Sequence, residues 1–118
     1  MAGGAARQVD LDLLQRARDS LPGQLNAGIL MGDGGFCVLG WMLYCAGFHE
    51  ISLYANTVAV ADPARGGPAT DVVAAVFGLP VDDVVRLAQL NDEAPAAERH
   101  AAVARQLDEL LAEARSQA

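Results

Sequence analysis

The stretch that decides the fold is Phe36-Cys37-Val38-Leu39-Gly40-Trp41-Met42-Leu43-Tyr44-Cys45-Ala46. It carries no charge and offers no polar face. A helix that is apolar all round belongs in the middle of a domain, so the segment predicts one central, buried helix, stopped at Gly47. Trp41 and Tyr44 read as core on that account. Just upstream, Gly32-Asp33-Gly34-Gly35 reads as a tight turn, and Ile29-Leu30-Met31 as a strand leading into it.

A central helix needs helices around it. Asp10 reads as a cap, followed by Leu11, Leu14, Arg18 and Leu21 at helical spacing, with Leu13 and Ala17 widening the stripe. Pro22-Gly23 ends that helix. Downstream, Thr70 or Asp71 is expected to cap a helix whose apolar side is Val72, Val73, Val76 and Phe77. Gly78-Leu79-Pro80 ends it and opens another carrying Val81, Val84, Val85 and Ala88. Asp82 and Asp83 fall in the first turn of that helix, where the dipole favours acids. Asn91-Asp92-Glu93 breaks the pattern. Pro95 suits the first turn of a last helix, running to about Ala114, with the stripe Ala96, His100, Val103, Leu107, Leu110, Leu111 and Ala114. Alternation over residues 51–60 fits a strand or short hairpin. The expected architecture is mainly α, about five helices with one central buried helix, plus a small β element near 24–31 and 51–60. An α+β arrangement stays open. The expected organisation is a disordered tail at 1–8, one compact domain over 9–115, and a mobile loop at 62–69.

Composition narrows the function. The chain has 118 residues, 15 acidic and 8 basic, for a formal net charge of -7. That balance argues against general nucleic-acid binding and against docking on an anionic membrane. No apolar run reaches the roughly 18–20 residues of a membrane span. The N-terminal residues lack the pattern of a signal peptide, so the expected location is cytoplasmic. All the basic residues are arginines, and alanine supplies much of the 53% hydrophobic content. That pairing reads as the mark of a GC-rich bacterial genome. Cys37 and Cys45 lie roughly 12 Å apart on one helix, too far for a disulfide. Two free thiols are expected, at least one of them buried. No cysteine or histidine spacing suggests a metal, and no cofactor is implied.

Cys37 is the first candidate for chemistry. A thiol in the first turn of a helix, behind a glycine turn, can have its pKa lowered by the dipole and by free N–H groups. His49 or His100 would then be the base, oriented by Asn91 or Asp92. The plain alternative is a small buried residue in an apolar helix. Gly34 and Gly35 ahead of that helix could cradle a phosphate, but the turn lacks a P-loop lysine, and Asp33 would repel an anion. A hairpin turn is the simpler reading. Phe36 and Trp41 beside it would line a small-molecule pocket if one existed. Asn91-Asp92-Glu93 could bind a cation or a partner's arginine, although such clusters more often cap and link helices. Asp108, Glu109 and Glu113 read as a solvated face near a helix C-terminus, where the dipole disfavours acids.

Asp33-Gly-Gly-Phe-Cys37-x-x-Gly40, followed by Phe77-Gly78-Leu79-Pro80 and Leu90-Asn91-Asp92, resembles a group of small proteins from phages, prophages and actinobacteria. The likeness covers roughly residues 12–112. Val38 stands where the group usually has a second cysteine, and residues 50–70 match nothing in it. The resemblance implies a fold and supplies no activity. It points at Cys37, Gly40, Asn91 and Asp92. A cysteine and an Asn-Asp pair without a matching histidine suit a structural contact, with Asn91 or Asp92 bonding the backbone at the start of the Cys37 helix. Side chains more than about 6 Å from that helix start would defeat this idea.

The leading functional expectation is a small acidic, cytoplasmic, non-enzymatic interaction domain, phage-related or from a mobile element. It would bind a protein partner through Asp108, Glu109 and Glu113, and could form a homodimer through the alanine-rich last helix. The alternatives are a cysteine-dependent hydrolase or transferase with Cys37 as nucleophile, and a small-molecule binding domain.

Overall fold

The computed structural model describes residues 9–26, 31–32, 35–48, 52–54, 57–59 and 67–117. The fold is mainly α. Among these residues there are five helices: α1 Leu11–Asp19, α2 Val38–Cys45, α3 Ala69–Phe77, α4 Val81–Glu93 and α5 Ala96–Ser116. The β content of the described residues is five strands of two or three residues. β1 (Met31–Gly32) and β2 (Gly35–Phe36) form an antiparallel pair with Gly32 opposite Gly35. β3 (Ser52–Tyr54), β4 (Thr57–Ala59) and β5 (Gly67–Pro68) form a three-stranded antiparallel sheet in that order.

Each helix begins and ends for a local reason. Asp10 caps α1 by accepting from the Leu13 N–H at 3.1 Å. α2 ends where Gly47 turns left-handed, at φ 97°. There the Gly47 N–H donates to the Tyr44 carbonyl and the Phe48 N–H to that of Leu43, the Schellman closure. α3 stops at Gly78, with φ 72°. Pro68, Pro80 and Pro95 stand at the N-caps of α3, α4 and α5, none of which has a side-chain cap.

α2 packs against α1, α3 and α4, while α5 lies along α1 and α4. Val38, Met42 and Leu43 of α2, Leu14 and Ala17 of α1, Val73 and Phe77 of α3, Val84 and Leu87 of α4, and Val103 and Leu107 of α5 are fully buried. The central helix therefore exists, although it is shorter than its sequence suggested. Phe36 belongs to β2, and Cys37 is the N-cap rather than a first-turn residue.

Several expectations need correction. Trp41 is only half-buried, and Tyr44 is 38% exposed. An eight-residue helix with neighbours on three sides leaves a fourth side outward, and positions 41 and 44 share it. Thr70 and Asp71 lie inside α3 and cap nothing. Asn91-Asp92-Glu93 does not break α4, which runs through Glu93 because Asn91 turns inward and is 1% exposed. Of the β element expected near 24–31, residues 24–26 form no strand, Met31 belongs to β1, and residues 27–30 lie outside the described residues. Within the loop expected at 62–69, residues 67–68 are β5 and Ala69 opens α3. The rest of that loop, and the tail at 1–8, lie outside the described residues. No helix among the described residues is long and apolar enough to cross a membrane.

Candidate functional site

The site is built around the start of α2. Its first N–H groups have no partner within the helix and must find one elsewhere. The Asn91 Oδ1 reaches across from α4 and accepts from the Val38 N–H at 3.0 Å. The Cys37 Sγ accepts from the Gly40 N–H at 3.4 Å. The contact expected between the Leu-Asn-Asp segment and this helix start is therefore made, and Asn91 makes it.

Asn91 also donates. Its Nδ2 reaches the Asn26 carbonyl at 2.7 Å and the Asp92 Oδ1 at 3.1 Å. The Asn26 N–H in turn donates to the Phe36 carbonyl at 2.8 Å. One buried amide thus ties the loop before the hairpin, the start of α2 and the end of α4. Arg99 closes the junction from α5. Its Nε donates to the Asn91 carbonyl at 2.6 Å, Nη1 to Leu25 at 3.0 Å and Nη2 to Ala94 at 3.4 Å. A cation over the last carbonyls of α4 is favoured there by the helix dipole. Sequence reasoning missed Arg99. One signal was available: a cation one turn into a helix N-terminus is disfavoured by its own helix and must be held by something else.

Cys37 is buried and is a free thiol. Burial pushes its pKa up; the Gly40 and Leu39 N–H groups oppose this, and the charge of Asp92 adds to the rise. Desolvation wins over the helix start, contrary to the lowering expected from position alone. Cys45 is the second free thiol, half-buried, with Ser20 Oγ at 3.9 Å. Among the described residues no hydrogen bond joins Cys37 to His100. His100 sits on α5 with its Nε2 buried and without a hydrogen-bond partner among the described residues. His49 and Gly34 lie outside the described residues, and Gly35 is in β2.

Phe36, Trp41 and Tyr44 form an aromatic cluster on the outer side of α2. Centroids are 5.4 Å apart for Phe36–Trp41, 5.2 Å for Phe36–Tyr44 and 5.6 Å for the stacked Trp41–Tyr44 pair. The three rings pack edge-on, tilted and stacked against one another. Trp41 is fixed further by its indole N–H, which donates to the Ala17 carbonyl at 3.1 Å.

Of the three acids expected to face a partner, Asp108 is engaged within the chain, taking a two-pronged contact from Arg18 at 2.8 and 3.3 Å. Glu109 and Glu113 are exposed. Asp92 is exposed beside Asn91. Among the described residues no group of three or more His, Cys, Asp or Glu could hold a metal ion. Comparison with protein-family models, with curated proteins and with solved structures returns no match.

Proposed function

We propose that the protein is a small, non-enzymatic interaction domain that binds a protein partner. The observation that carries this reading is the state of Cys37. The thiol best placed by sequence for nucleophilic chemistry is buried, raised in pKa and used as a hydrogen-bond acceptor at the start of α2. A nucleophile must be ionised and reachable, and this one is neither at neutral pH. The partner is a basic one, since the net charge of -7 steers oppositely charged proteins into encounter. Glu109 and Glu113, outward on α5, belong to its contact face. A cytoplasmic, phage-related origin accords with the Gly-Phe-Cys-x-x-Gly and Leu-Asn-Asp segments. Self-association through the exposed alanines of α5 is a second form of the same reading.

Alkylation of the native protein with iodoacetamide, followed by mass spectrometry across pH, tests it. Cys37 should stay unmodified from pH 6 to about 8.5, the ordinary thiol pKa, while unfolded protein is modified at both cysteines. Rapid modification of native Cys37 below pH 8 would overturn the reading in favour of a cysteine enzyme.

A further inference from the structure

We draw no further inference here: the strongest candidate, the aromatic surface patch of Phe36, Trp41 and Tyr44 on the outer side of α2, carries none, because nothing in the structure shows what covers it.

Discussion

Two polar connections hold distant parts of this chain together, and they differ in burial rather than in reach. The Asn91–Arg99 junction joins positions 53, 65 and 74 apart in sequence. The outer clasp of Arg18 on Asp108, with Arg115 on Gln15 beside it, joins positions 90 and 100 apart. Asn91 is 1% exposed, whereas the side chains of Arg18 and Asp108 are 29% and 55% exposed. The clasp has the full ion pair, and the junction is built on an uncharged amide. Solvent inverts the ranking that charge alone would give. Water can replace what the clasp loses, and it cannot readily reach the buried Val38 N–H that the amide serves.

That contrast sets an order of effects. Asn91→Ala should cost most, about 2–4 kcal/mol in urea unfolding, because it strands the Val38 N–H and the Asn26 carbonyl together. Asn91→Asp should do no better, since it keeps the acceptor but loses the donor and buries a charge. A loss below about 0.5 kcal/mol would mean the junction is wet, and the contrast would collapse. Arg99→Met keeps the packing stem and removes the fork; it should cost about 1.5–3 kcal/mol, measured the same way. Next comes the cap. Cys37→Ala should cost about 1 kcal/mol, and Cys37→Ser should recover most of it, because a hydroxyl serves the same N–H. Smallest is the clasp. Asp108→Asn should change stability by less than about 1 kcal/mol, and moderate salt should erase the difference. If Asp108→Asn matched Asn91→Ala, burial would not be what ranks these contacts.

The sequence made the helices legible through their punctuation. Asp10, Gly47, Gly78, Pro80 and Pro95 sit at boundaries because each has one backbone preference that a helix end requires. A contact between Asn91 or Asp92 and the start of α2 was expected from the resemblance, through its cysteine and Asn-Asp pair without a matching histidine, and Asn91 makes it. Orientation was not legible. A helix without a polar face gives no sign of which side faces out, so Trp41 and Tyr44 read as core. Arg99 escaped for another reason. Its acceptors are backbone carbonyls of Leu25, Asn91 and Ala94, and carbonyls have no residue type to recognise. The acids were half-legible: Asp108 could be placed on an outer face, but its partner Arg18 lies 90 positions away.

The distance between Val38 and Asn91 along the chain has a consequence for how the protein is made. α2 leaves the ribosome with its start unpinned, and the residue that pins it emerges 53 positions later. Arg99, which braces that residue, comes later still. Until α3 and α4 are made, the chain therefore carries an apolar, uncharged segment with only α1 of its helical neighbours beside it. The nascent protein is most prone to aggregate before its final third is complete, and that is the interval in which a chaperone would have something to hold.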